Sequence, residues 1–257
     1  MTIPRIYSPD ALENKKTCEL GTDNLKYLKQ VMRLKQGNRI NIFDGFGREF
    51  EAVIKGFSTK KVIIELGEII PTAEKKIRIT LAQAIPKAGK MDTIVKSASE
   101  LGADVIIPFY AARSVGRIAD EKISFKVARW QKIAGEAARC CHSSHILKVL
   151  EVSSFADMIA LASGDALRLI FWEEEFQKTI KDILKDEIIT ATKDFLIVVG
   201  PEGGLSKDEV MMAKEAGFIS VSLGRQILKV ETAAAAIISI LQYEKGIFGH
   251  RSQEVKK

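Results

Sequence analysis

The sequence predicts an α/β protein, a mostly parallel sheet covered by helices on both faces and preceded by a small β-rich domain. Three observations carry that prediction. From residue 76 onward, short apolar runs alternate with helix-period segments over about 175 residues, the pattern of a sheet assembled from strand–helix units. The run Phe195-Leu196-Ile197-Val198-Val199 is continuous rather than alternating, too short for a helix and rich in β-branched side chains, as suits a strand buried on both faces. Before residue 70, apolar and polar residues alternate in short stretches separated by tight turns, the mark of small half-buried strands.

In chain order, Arg5-Ile6-Tyr7 reads as a short strand and residues 23–34 have helical spacing. Residues 39–43 alternate, Asp44-Gly45 marks a turn, 49–57 alternate again, and Lys60-Lys61 leads into a further strand at 62–66. Several short strands with tight turns suggest a small barrel over residues 1–70. Residues 71–76 are polar, carry a proline and read as a linker. Strands then fall at 77–85, 105–110 and 167–172, and helices at 91–101, 155–162 and 176–184. A long helix at 123–141 carries Phe125, Trp130, Ile133 and Ala137 at helical spacing, a stripe expected in the core.

The run at 195–199 stops at Gly200-Pro201-Glu202-Gly203-Gly204, where backbone freedom outweighs side-chain packing. Ser206, with Glu209 three positions on, forms a capping box that starts a helix ending near Gly217. The cycle then repeats: a strand at 218–223, a loop at 224–230, and Glu231-Thr232 opening a helix over 233–243. Two such units in succession put both loops at the carboxyl ends of parallel strands, where open α/β sheets bind small molecules. Neither loop is a phosphate cradle. There is no GxxxxGK[ST] and no GxGxxG, and Glu202 places a negative charge in the first loop. A neutral or cationic ligand, read by backbone groups that glycine leaves exposed, fits better.

Composition sets the bounds. Hydrophobic residues make up 46% of the chain, which suits a soluble globular protein, and the longest apolar run, 233–241, is too short to cross a bilayer. Residues 1–5 carry no apolar stretch of the signal-peptide kind, so a cytoplasmic protein without a membrane partner is expected. Cys140 and Cys141 are neighbours and Cys18 is distant, so no disulfide framework is visible. The string Cys140-Cys141-His142-Ser143-Ser144-His145 matches no common zinc spacing, and no metal is expected. The net charge of +6 is spread out, with 12 Lys+Arg against 9 Asp+Glu in residues 1–70 and 27 against 24 in the remainder. Such a balance is compatible with a polyanionic partner gripped over a wide surface rather than by a basic tail.

The two glycine loops carry a resemblance. Gly200-Pro201-Glu202-Gly203-Gly204, followed by Leu223-Gly224-Arg225-Gln226-Ile227-Leu228-Lys229-Val230-Glu231-Thr232-Ala233, resembles the paired signature of the ribosomal RNA small subunit methyltransferase E family, of the SPOUT class of S-adenosylmethionine-dependent enzymes. Arg5-Ile6-Tyr7, Phe43-Asp44-Gly45, Lys90-Met91-Asp92, Glu100-Leu101-Gly102, Arg113-Ser114 and Arg129-Trp130-Gln131-Lys132-Ile133 also sit in family order, so the resemblance covers nearly the whole chain. It implies a PUA-like β-barrel over residues 1–70 that helps grip RNA. It also implies a SPOUT α/β-knot methyltransferase domain over 76–249 with a C-terminal trefoil knot, and a homodimer. The implied reaction is methylation of N3 of a uridine in 16S ribosomal RNA of the small subunit. The implied cofactor contacts are Gly200, Pro201, Glu202, Gly203, Leu223, Gly224, Ile227 and Leu228, with Thr232 and Ala233 at the helix start and Phe171 at the end of a neighbouring strand, where Phe171-Trp172-Glu173 closes the pocket. Arg5, Lys26, Lys29, Arg33 and Arg39 are the candidate RNA phosphate contacts.

The imide N3 of uridine is a poor nucleophile until its proton leaves or its charge is stabilised on the flanking carbonyl oxygens. Arg113 and Lys229 are the candidate cations for those oxygens, and Glu231 is the candidate proton acceptor. The chain also departs from the family. Gln226 and Lys229 stand where arginine is usual, Val230 where threonine is, Arg225 where proline is, Tyr27 where histidine is, and Ser143 where arginine is. Ser97, Ala112, Cys140 and Leu147 replace lysine, glutamate, glutamine and proline. These losses leave two alternatives: a SPOUT enzyme acting on another RNA site, or a non-catalytic RNA-binding protein that keeps the fold.

Overall fold

The computed structural model describes residues 3–72, 75–87, 89–161, 165–185 and 191–245. The chain divides into two compact units, residues 1–74 with 138–146, and residues 75–137 with 147–257. The sequence gives no sign that 138–146 joins the β-rich unit. Residues 246–249 of the expected second domain, part of the 71–76 linker and Ala162 of the helix expected at 155–162 lie outside the described residues.

The first unit holds β1 (Arg5–Tyr7), β2 (Thr17–Leu20), α1 (Thr22–Lys26), β3 (Arg39–Phe43), β4 (Glu49–Phe57) and β5 (Val62–Ile70), in the sheet order β1-β3-β4-β5-β2. β1 pairs in parallel with β3 and the other ladders are antiparallel. β2 is absent from the sequence reading, although Cys18 and Leu20 face the core and Thr17 and Glu19 face solvent. Register shifts at Phe50/Ala52 and Ile54/Gly56 bend β4. Among the described residues no ladder joins β1 to β2, so the expected barrel is a curled sheet with two free edges. The helix expected over 23–34 is shorter: α1 runs into a π-helical turn, Tyr27–Val31, and Arg33 at φ +54° cannot continue it.

Arg5 needs correcting as an RNA contact. It is 7% exposed, and its guanidinium donates to Glu49 Oε1 and Oε2 at 2.9 and 2.8 Å, to Ala138 O at 3.1 Å and to Ser143 O at 2.8 Å, with Phe43 stacked 3.8 Å away. These bonds satisfy a buried charge, and the burial keeps the guanidinium out of reach of a phosphate. Lys26, Lys29, Arg33 and Arg39 are exposed.

The second unit is a seven-stranded sheet in which every pairing is parallel. Its strands are β6 (Arg78–Ala84), β7 (Val105–Tyr110), β8 (Lys148–Val149), β9 (Ser153–Ser154), β10 (Leu167–Phe171), β11 (Asp194–Val199) and β12 (Ile219–Val221). The order is β12-β10-β11-β6-β7-β8, with β9 also on β7. The helices are α2 (Lys90–Glu100), α3 (Asp120–Cys140, whose last residues belong to the first unit), α4 (Phe155–Ala160), α5 (Ile180–Leu184), α6 (Lys207–Glu215) and α7 (Val230–Glu244). Leu196 and Val198 of β11 enter one core with Phe109, Met158, Val210 and Phe218. Phe195, Ile197 and Val199 point to the other face, where α7 packs on β11 and β6. Burial on both faces is why β11 reads as an unbroken apolar run.

Two aromatic residues sit elsewhere than expected. Phe125 is 69% exposed because, five residues before buried Trp130, it lies about 140° around the helix from it and off the buried face, and Phe176 is 88% exposed because the helix expected at 176–184 begins at Ile180 behind a Thr179 capping box. The apolarity of α7 is accounted for within its own unit: Ala234, Ile237, Ile238 and Leu241 are buried there, so its composition does not by itself require a partner chain. Ser222, just past β12, bridges Thr179 in parallel and donates its N–H to Lys178 O at 2.8 Å. The chain therefore passes alongside the 172–179 loop, which is compatible with the threading that the resemblance implies. Among the described residues no helix is long and apolar enough to cross a membrane, and no cluster of His, Cys, Asp or Glu could hold a metal.

Candidate active site

In the sheet order, β11 and β12 lie on either side of β10, so the two glycine loops flank the end of Phe171 and the 172–179 loop. The loops after β6 and β7 lie at the same, carboxyl edge.

The first glycine loop is packed from several sides. The Ser206 hydroxyl accepts from Glu209 N, and the Glu209 carboxylate returns to Ser206 N at 2.8 Å, the capping box expected from sequence. The other oxygen of that carboxylate, 7% exposed as a residue, accepts from Ala112 N at 2.7 Å and so ties the β7 loop to the start of α6. Arg113 follows in that loop, and its Nη1 donates to Gly203 O at 3.2 Å. A Cβ on Gly203 would stand 3.2 Å from Arg113 Cβ and 3.3 Å from Arg113 O, so any side chain here would press on Arg113 and push it back by a few tenths of an ångström. Gly204 has φ +69°, and a Cβ on it would overlap the Glu173 carboxylate. Pro201 and Phe171 are buried. Trp172, half-buried, packs against the α4/α6 core.

Glu202 does not point into open space. Its carboxylate accepts from Lys87 N at 3.1 Å and from Lys90 Nζ at 2.8 Å. Burial alone would raise this carboxyl; the Lys90 hydrogen bond, backbone N–H groups and the Lys90 charge outweigh it and hold the group below its usual range. The same contact raises Lys90 above the usual lysine value. Lys90 Nζ also lies 3.9 Å from Glu231 Oε2, an oxygen that is buried and accepts no hydrogen bond in the described structure. Lys90 thus sits between the carboxylate of the first loop and that of α7.

The second glycine loop is open. Ser222 Oγ accepts from Gly224 N at 3.1 Å, and Gly224 takes φ +117° with nothing near where a Cβ would be. Leu223 and Leu228 are half-buried, Ile227 is 87% exposed, and Lys229 is an exposed N-cap of α7 with no side-chain cap bond. Thr232 is exposed and Ala233 half-buried in the first turn of α7. The fold therefore brings Arg113 to the first loop and Glu231 to Lys90, while Lys229 makes no ion pair among the described residues. Sequence reading singled out Lys90 only as part of a family fragment and Glu209 only as a cap. Their partners Glu202 and Ala112 are 112 and 97 residues away, and nothing local marks such pairings.

Comparisons with known proteins agree with this architecture. An RNA methyltransferase domain family matches residues 73–242 and an RNA methyltransferase PUA domain family matches 20–67. Ribosomal RNA small subunit methyltransferase E of Bacillus subtilis is 30% identical over 238 residues, 91% of this chain and 92% of that protein. The chain belongs to the ribosomal RNA small subunit methyltransferase E family. Within that family, the enzyme of Neisseria gonorrhoeae, solved bound to S-adenosyl methionine, superposes with a TM-score of 0.85 at 28% identity, covering 96% of this chain and 100% of that one. A putative methyltransferase from Legionella pneumophila, solved in complex with the same molecule, gives a TM-score of 0.83 at 28% identity, covering 95% and 98%. The SPOUT-type fold with an N-terminal PUA-like domain, which the resemblance implies, is that of the family.

Proposed function

We propose that this chain methylates N3 of a uridine in 16S ribosomal RNA with S-adenosylmethionine, as a cytoplasmic homodimer acting on the small ribosomal subunit. The observation that carries the reading is the pair of glycine loops flanking the end of β10, in a member of a family with a relative solved bound to S-adenosyl methionine. The residues fit such a ligand. The second loop offers backbone groups and the half-buried Leu223 and Leu228, Phe171 lies between the loops, and the Glu202 and Glu231 carboxylates suit a cationic molecule better than a phosphate. Bound there, S-adenosylmethionine supplies a methyl group on a positively charged sulfur. The protein's part is alignment and charge. Arg113, steadied by Gly203 O, and the exposed Lys229 are the cations for the uridine carbonyl oxygens, and the unbonded Oε2 of Glu231 is the acceptor for the N3 proton, directly or through water. As the N3–C bond forms the C–S bond breaks, and a neutral thioether leaves.

The intact Gly200–Gly204 loop, held from several sides, favours an enzyme over a non-catalytic RNA-binding protein. The deciding experiment is mass mapping of ribosomal RNA from cells with and without the gene, alongside in vitro methylation of small-subunit particles. A single methyl lost from a 16S uridine and restored by the purified protein supports the reading. A methyl on another RNA, or none, contradicts it.

A further inference from the structure

Helix α3 carries a surface that neither the core nor the glycine loops use. At 3.6 residues per turn its side chains sort into two faces. Trp130, Ala134 and Ala137 are buried at 3%, 0% and 4%. Lys122, Phe125, Arg129 and Lys132, all exposed, share the opposite face, with half-buried Lys126 at its border. Four cations therefore surround one exposed phenylalanine along about 15 Å of helix, at 1.5 Å rise per residue. Arg129 is anchored on Asp92 at 2.6 Å, and Trp130 Nε1 donates to the same carboxylate. Lys122, Lys126 and Lys132 make no ion pair among the described residues. The acidic neighbours of the face are Asp92, Glu121 at its edge and Glu136 one turn beyond Lys132.

The face also connects to the active site. Arg113, bonded to Gly203 O, begins the β7–α3 loop. Arg117 lies 5.6 Å over the Tyr110 ring, and the Tyr110 hydroxyl accepts from Ile118 N at 3.0 Å, which pins the loop just before α3 starts. Cations thus run from the first glycine loop outward along α3.

We propose that this face is an RNA-gripping surface on the catalytic unit, with phosphates on Lys122, Lys126, Arg129 and Lys132 and one unpaired base stacked on Phe125. The inference rests on the reading that the chain acts on RNA, and adds where the strand leaves the site. Nucleic acid fits better than a protein partner, because protein interfaces surround their apolar centres with few lysines. Single-stranded RNA instead combines backbone charge with aromatic stacking platforms.

The test is equilibrium binding of the full-length protein to a protein-free 16S transcript over a range of salt. Phe125→Ala and Phe125→Leu should each weaken binding about tenfold, and Phe125→Trp should retain it. The triple variant Lys122→Ala, Lys126→Ala, Lys132→Ala should lower the slope of log affinity against log salt by about 2, at about 0.7 per phosphate lost from a single strand. S-adenosylmethionine binding by calorimetry and the melting temperature should stay within error of the wild type in all of them, since Phe125, Lys122 and Lys132 are exposed and Lys126 lies at the border of the buried face. Wild-type affinity in Phe125→Leu would exclude stacking, and an unchanged salt slope would exclude the phosphate contacts. Defects seen on ribosomal particles but not on free RNA would assign the face to a ribosomal protein instead. Failure of the wild type to methylate any RNA would sink the proposed reaction, whereas equal RNA binding by wild type and variants would sink this inference alone.

Discussion

The two glycine loops look alike in sequence and differ in how they are held. The first is fixed by the protein itself: Gly203 against Arg113, Gly204 against Glu173, Glu202 on Lys87 and Lys90, and Glu209 bonded to both Ser206 and Ala112. The second has one internal Ser222–Gly224 turn, an uncapped helix start and an isoleucine in solvent. In the proposed site, the first loop is then a preorganised wall and the second a wall for the ligand to complete, and binding would spend ordering free energy mainly on the second loop.

The largest expected effect breaks the fixed wall. Gly203→Val sets a branched side chain against the backbone of Arg113, so it should lower S-adenosylmethionine affinity in calorimetry by at least about a hundredfold. Full-strength binding would mean that the pocket does not depend on this loop. Next in size is Glu209→Ala, which leaves the N–H groups of Ser206 and Ala112 unpaired. It should destabilise the protein by about 2–3 kcal/mol in denaturant unfolding, and methyl transfer should fall with the loosened Arg113 loop. A loss of less than about 0.5 kcal/mol would show that the carboxylate does not brace the loop.

Much of the fixed wall was legible in the sequence because its determinants are local. Ser206 and Glu209 are three residues apart, and the apolar run 195–199 announces its own burial. What was not legible depends on partners far along the chain. Arg5 looks like a surface cation until Glu49 and residues 138–144 close around it, and Lys90 looks like an ordinary helix-start lysine until Glu202 arrives. Phe125 failed for a different reason. Five residues from Trp130, it lies about 140° around the axis, so the expected stripe is wider than the face that α3 buries. The two-residue strands β8 and β9 are too short to show a period, and β2 shows one over only four residues.

A smaller effect sharpens the comparison through pH. The Glu202 carboxyl is held below its usual 4.5, so its contribution to stability is fully present above about pH 4.5 and is lost as pH falls through the lower folded value. Glu202→Gln should therefore flatten the dependence of melting temperature on pH below about 4.5. An unaltered acid limb would show that the Lys90 contact does not survive in solution. The smallest effect on stability belongs to the open wall. Ile227→Ala, at a residue 87% exposed, should change unfolding free energy by less than about 0.5 kcal/mol while lowering cofactor affinity several-fold. A change confined to stability would remove Ile227 from the site.

The contrast between the loops is tested most directly by hydrogen exchange with and without saturating S-adenosylmethionine. Amides of residues 200–206 should already be protected in the free protein and change little, while those of 222–230 should gain strong protection on binding. Equal protection gained by both loops would contradict a preorganised first wall. Protection gained in neither would place the ligand elsewhere.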